Sequence, residues 1–147
     1  MESPLPTQAK TILLVDEEHK YRITARWLLG NFGFIVESAR TAKDALALFD
    51  AKTHALVVTD NFLNGMSGTE LAHVIKMRSP STPVIMCSAL LPEDRTCLDV
   101  LIQKPVPLLA LGQLIERLLQ GQPGLGPALF NASSPCACSR GSLWAQL

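Results

Sequence analysis

Residues 56–68 read LVVTDNFLNGMSG: an apolar run, a single acid at Asp60, then a loop carrying Gly65 and Gly68. Val57 and Val58 suit the centre of a buried sheet, since a short β-branched run bounded by turn signals reads as a strand. A carboxylate at the end of such a strand is costly to bury unless something there uses its charge. The neighbouring segments decide what kind of sheet this is, and so where that end lies.

Working outward, TILLVD (11–16) reads as a first strand and HKYRITARWLLGNFG (19–33) as a helix. The helix carries Ile23, Trp27, Leu28 and Phe32 at helical spacing, with Gly33 as its stop. FIVESA (34–39) is a second strand, with Phe34 and Val36 on one face. TAKDALALFDAK (41–52) is a helix capped by Thr41 and turning Ala45, Leu48 and Phe49 inward. ALVVTD (55–60) is the third strand. GTELAHVIKMRS (68–79) is a helix with Leu71, Val74 and Ile75 apolar. PVIMCSA (83–89) and LDVLIQ (98–103) are strands four and five, and PLLALGQLIERLLQG (107–121) is a closing amphipathic helix. Strands alternating with helices predict an α/β domain with a doubly wound, five-stranded parallel sheet of flavodoxin-like topology. Continuous apolar strands fit a sheet covered on both faces.

The composition agrees with one globular domain: 147 residues, 48% hydrophobic and 18% charged. Thirteen basic and thirteen acidic residues cancel, which argues against nucleic acid or an anionic membrane as a direct partner. No basic segment precedes a long apolar run, and TILLV is too short for a signal core or a membrane span. The chain reads as cytoplasmic, with Cys87, Cys97, Cys136 and Cys138 as reduced thiols. Their spacing does not make a structural zinc site.

Parallel strands share a carboxyl edge, so Asp16, Glu17 and Glu18 after the first strand converge with Asp60 after the third. Clustered carboxylates repel unless they share a cation, and a hard divalent ion such as Mg²⁺ suits oxygen ligands completed by water. Strand four ends in Ser88, and strand five leads into Lys104-Pro105. A central carboxylate, a hydroxyl and an ammonium at one edge form a site for a phosphoryl group on Asp60.

At these residues the chain resembles the receiver domain of two-component response regulators, the CheY-like family. ILLVDEEHKYR (12–22) matches the family's strand, acid pair and downstream arginine, here Arg22. DNFLNGMSG (60–68) matches the phosphoacceptor loop with Met66 in register. VIMCSA (84–89) and QKP (103–105) match the fourth strand's terminal hydroxyl and the lysine-proline pair. The resemblance implies Asp60 as phosphoacceptor, and Mg²⁺ held by Asp16, Glu17, Asp60 and the backbone carbonyl of Phe62. It implies Ser88 and Lys104 on the phosphoryl group, and a cis bond before Pro105 that aims Lys104. Glu18 is a bystander, and Arg22 is a surface or ion-pair residue. His19 is an ordinary polar residue where the family often has proline, and His54 and His73 are assigned no role.

The same resemblance marks departures. Asn64-Gly65 replaces the family's loop proline, and Leu101 stands where a switching Tyr or Phe is usual. Only fifteen residues lie between Ser88 and Lys104. ALLPEDRTC (89–97) therefore has room for at most about two helical turns, a shortened fourth helix started by Pro92. That face is the family's common signalling and dimerisation surface; a homodimer is among the assemblies the resemblance allows. Phe62 and Leu90, each two residues past a site residue, are expected to shield the acyl phosphate from water. Polar replacements there should speed phosphate loss, and an unchanged rate rejects the idea.

The expected organisation is an extension (1–9), a receiver domain (10–120) and a Pro/Gly-rich tail (121–147) without its own fold. The tail's Leu129, Phe130, Leu143 and Trp144 could dock on the domain, and Cys136-Ala-Cys138 reads as ordinary thiols. The implied function is a stand-alone receiver accepting a phosphoryl group from a histidine kinase or phosphotransfer protein and signalling to an effector protein. It is not an enzyme beyond Mg-dependent self-phosphorylation and autodephosphorylation. Two alternatives stand beside it: a pseudo-receiver docking partners without phosphorylation, and a metal-dependent phosphatase using Asp16 and Glu18.

Overall fold

The computed structural model describes residues 8–120, so the expectations for the tail lie outside the described residues. Five strands form one parallel sheet: β1 (Thr11–Val15), β2 (Ile35–Ala39), β3 (His54–Thr59), β4 (Val84–Ser88) and β5 (Val100–Gln103). Their spatial order is β2-β1-β3-β4-β5, the doubly wound arrangement expected. Four helices accompany them: α1 (His19–Asn31), α2 (Ala42–Leu48), α3 (Gly68–Arg78) and α4 (Leu108–Leu119).

Strand side chains alternate between two cores. Ile12 and Leu14 of β1, Leu56 and Val58 of β3, Ile85 and Cys87 of β4, and Val100 and Ile102 of β5 join Ala25 and Leu29 of α1 and Leu111, Leu114 and Ile115 of α4. On the other face Leu13, Val15, Val57, Val84, Met86 and Leu101 meet Ala42 and Ala45 of α2 and Leu71, Ala72 and Ile75 of α3. All five β1 residues are buried, and burying a Leu or Ile side chain stabilises by about 1.5–3 kcal/mol. The sheet centre therefore anchors the domain.

Helix ends follow local chemistry. Thr41 caps α2 by accepting from the Asp44 N–H, and Ser67 caps α3 by accepting from the Glu70 N–H. Gly33 ends α1 at φ 91°, where residues with a Cβ are strained.

Three expectations are corrected. Ile23 and Trp27 do not face the core; they are 55% and 68% exposed, and the small Ala25 with Leu29 forms the buried stripe. Ala25 brings α1 closer to the sheet than Trp27 could. Leu48 of α2 is likewise 44% exposed, while Ala42 and Ala45 are buried. The shortening between β4 and β5 goes further than a stub: residues 89–99 form turns and bends and no helix. Cys97 and Leu98 of that segment fill the core beside Leu101 where a helix would have packed. Asp99 then pins its end, accepting from the Val84 N–H at 2.8 Å and from the buried Lys76 at 2.6 Å.

Candidate phosphoacceptor site

The site lies at the carboxyl edge of β1, β3 and β5. The Asp60 N–H donates to the Val15 carbonyl at 3.0 Å, which carries the sheet register one residue past β3 and holds Asp60 beside Asp16. Asp60 Oδ1 accepts from the backbone N–H groups of Asn61 (2.6 Å) and Phe62 (3.2 Å). Asp16 Oδ1 accepts from the Glu18 N–H at 2.8 Å. The two remaining oxygens face one ammonium: Lys104 Nζ donates to Asp16 Oδ2 at 2.9 Å and to Asp60 Oδ2 at 3.0 Å. The Lys104–Pro105 peptide is cis, as the resemblance implies.

Burial works to lower the Lys104 pKa, but the hydrogen bonds and charges of Asp16 and Asp60 outweigh it and hold it above its ordinary value. Lys104 Nζ also stands 4.7 Å from the centroid of the Tyr21 ring, so it lies against an aromatic face. Burial, then the charges of Cys87, Asp16, Asp60 and Glu18, push the Tyr21 hydroxyl far above its usual range. Burial also pushes the Cys87 thiol up to about 12, with Lys104 pulling the other way.

Ser88 is fully buried, and its Oγ has no hydrogen-bond partner among the described residues. Its carbonyl accepts from the Lys104 N–H at 2.9 Å, so the hydroxyl-bearing residue and the lysine are fixed to one another through the backbone. A buried hydroxyl left unpaired is uncommon and costs stability; it is a donor available to an incoming oxygen.

Asp16, Asp60 and Lys104 are thus brought together, with Ser88 beside them. Glu17 is not: its Oε1 accepts from the Asn64 N–H, tying the β1 loop to the β3 loop. Among the described residues no three His, Cys, Asp or Glu side chains gather where they could hold a metal. Two aspartate carboxylates facing one point are nevertheless hard oxygen donors of the type a water-rich divalent cation takes. Phe62 is 53% and Leu90 66% exposed, so neither side chain is packed into the core.

Four supports were missed by pattern reading. Arg22 does not simply point to solvent; its guanidinium donates to the carbonyls of Asp16 (2.6 Å) and Glu17 (2.9 Å). Its position in the first turn of α1 was the available signal. Tyr21 supplies the face under Lys104. Gly68 must lack a side chain: a Cβ there would lie 2.0 Å from the Asp60 carbonyl oxygen. Asn61 completes the turn by accepting from the Thr69 N–H (3.0 Å) and hydroxyl (2.8 Å).

Comparison with known proteins points to one family. The family described as response regulator receiver domain matches residues 12–104. The transcriptional regulatory protein TdiR of Thauera aromatica is 32% identical over 89 residues, 60% of this chain and 39% of that protein. The response regulator protein FleR of Pseudomonas aeruginosa is 33% identical over 140 residues, 86% of this chain and 29% of FleR. The chain therefore spans well under half the length of these relatives. A CheY-like receiver domain protein from Methanospirillum hungatei superposes with a TM-score of 0.73 at 28% identity, over 78% of this chain and 97% of that one. Response regulator TrrA from Thermotoga maritima, solved in complex with Mg²⁺-BeF, gives 0.69 at 25% identity, over 74% of this chain and 98% of its own.

Proposed function

The chain belongs to the response regulator receiver domain family of two-component systems, and from that premise we propose that Asp60 accepts a phosphoryl group from a histidine kinase or phosphotransfer protein. The observation that carries the reading is the single ammonium of Lys104 shared between Asp16 Oδ2 and Asp60 Oδ2. Asp60 Oδ1 is held by two backbone N–H groups, which leaves Oδ2 as the attacking oxygen. An Oδ2–P bond forms as the donor's bond to phosphorus breaks, and the leaving group departs with that electron pair. Lys104 offsets charge spreading over the equatorial oxygens, and the Ser88 hydroxyl donates to one of them. Preorganised donors of this kind act without reorganising during the reaction.

Mg²⁺ belongs to the proposal: Asp16, Asp60 and the Phe62 carbonyl would hold it, and it would neutralise phosphoryl charge when bound. Glu17, whose Oε1 accepts from the Asn64 N–H, would contribute through its other oxygen or through a water. The receiver unit would pass its phosphorylation state to an effector. Its chemistry would be limited to its own phosphorylation and dephosphorylation. Among the described residues no helix is long and apolar enough to cross a membrane.

The test is incubation of the full chain with acetyl phosphate and Mg²⁺, read by intact mass. One added phosphoryl group is expected, and none in Asp60→Asn. A folded, metal-supplied wild type that stays unmodified would favour phosphorylation-independent docking instead. Modification that persists in Asp60→Asn would place the acceptor elsewhere.

A further inference from the structure

The irregular segment between β4 and β5 builds a second cluster of reactive side chains, away from Asp60. Cys97 Sγ lies 3.4 Å from His73 Nδ1. The other ring nitrogen, His73 Nε2, lies 2.9 Å from Asp94 Oδ2. His73 comes from α3, and the other two residues from the segment that takes a helix's place. The order is thiol, imidazole, carboxylate, with each ring nitrogen facing one partner, as a base with an orienting group requires. Asp94 is itself fixed: Oδ1 accepts from the Thr96 N–H (3.0 Å) and hydroxyl (2.7 Å).

We propose that Cys97 is a modification site of this chain, a thiol activated by His73 and Asp94 for oxidation by small hydroperoxides. His73 Nδ1 takes the thiol proton, and Asp94 steadies the resulting imidazolium through Nε2–H. The Thr96 hydrogen bonds, then His73, hold the Asp94 carboxyl down at about 2, so it is an anion at neutral pH. The thiolate sulfur attacks one peroxide oxygen and the O–O bond breaks. The departing hydroxide takes the proton from His73 as water. The balance is thiol plus hydrogen peroxide to sulfenic acid plus water, with sulfur oxidised by two electrons and the peroxide reduced.

The cluster runs from solvent to core: the side chains of Asp94 and His73 are 49% and 40% exposed, whereas Cys97 is 2% exposed. With Cys97 2% exposed, only a small oxidant can reach its sulfur, on local opening of the 89–99 segment beside the imidazole. A sulfenic acid at Cys97 would put a polar oxygen among Leu98, Leu101 and Met86, which must loosen the segment joining β4 to β5. Cys87 is a built-in reference, buried on the opposite core and with no base against its sulfur.

The experiment exposes the full chain to hydrogen peroxide, denatures it in dimedone, and quantifies the peptides holding Cys97 and Cys87. Cys97 should be oxidised faster than Cys87 by on the order of tenfold, and His73→Asn and Asp94→Asn should each remove that preference. Equal rates in the wild type, or a preference that survives His73→Asn, would overturn the proposal. Faster Cys87 oxidation in a variant reports unfolding; the decision then rests on the wild-type ratio and on the other variant.

Discussion

Lys104 and Gly68 show how single residues hold the site. Lys104 pairs with two carboxylates at once, so its loss leaves them facing each other in a partly buried place. Lys104→Met should lower unfolding free energy by about 2 kcal/mol at neutral pH, read from urea midpoints. It should also slow acetyl phosphate labelling by about a hundredfold, because a donor to the transition-state charge is removed. Normal labelling with reduced stability would make Lys104 merely structural. At Gly68 the added methyl meets backbone, which cannot swing aside as a side chain could. Gly68→Ala should cost about 2–3 kcal/mol by the same measurement. It should depress labelling of Asp60 as well, since the displaced atom is that residue's own carbonyl oxygen.

At the level of elements, the β4–β5 connection stays closed without a helix because of Lys76. This lysine is 1% exposed and donates to the Thr82 carbonyl at 2.8 Å and to Asp99 at 2.6 Å. Removing the anion strands a buried cation, whereas removing the cation leaves Asp99 with the Val84 N–H. Asp99→Asn should therefore cost about 3 kcal/mol or more, and Lys76→Met distinctly less. Equal losses would show that the pair acts only through packing. Beside the same connection Leu101, 1% exposed, is locked in the core and offers no aromatic ring to reorient.

For the whole molecule, stability should fall on the alkaline side. Cys87 is raised from 9.0 to about 12 by burial. Tyr21 is raised from 10.0, also by burial, and Lys104 is raised from 10.5 by its two aspartates against the pull of burial. In each case the unfolded chain loses its proton first, so stability is complete below the unfolded pKa and declines as pH rises above it. Urea midpoints should be level from pH 7 to 9 as far as these groups go, then decline. Cys87→Ala should remove the earliest part of that decline, between about pH 9 and 10. A decline that starts at the same pH in Cys87→Ala would exclude this thiol as its source.

The parallel sheet, its flavodoxin-like topology and several of the side chains at its carboxyl edge were legible in the sequence. Those features are written in local terms: apolar runs that cannot be solvated, glycines and caps that end helices, and acids placed where strands stop. Asp16, Asp60, Ser88 and Lys104 could be put on one edge because parallel strands have only one carboxyl edge. What tertiary structure decided depended on competition between side chains for the same space. Ala25 displaced Trp27 from the core because close helix–sheet approach favours the smaller residue, and a helical period cannot rank two stripes by fit. Glu17 went to the Asn64 N–H because a partner 47 residues away is visible only once the loops fold, whereas Arg22 turned back on carbonyls 6 and 5 residues before it. The helix between β4 and β5 was lost because Cys97, Leu98 and the Lys76–Asp99 pair close the core with fewer residues. The contact between His73 and Cys97, 24 positions apart, exists only as a result.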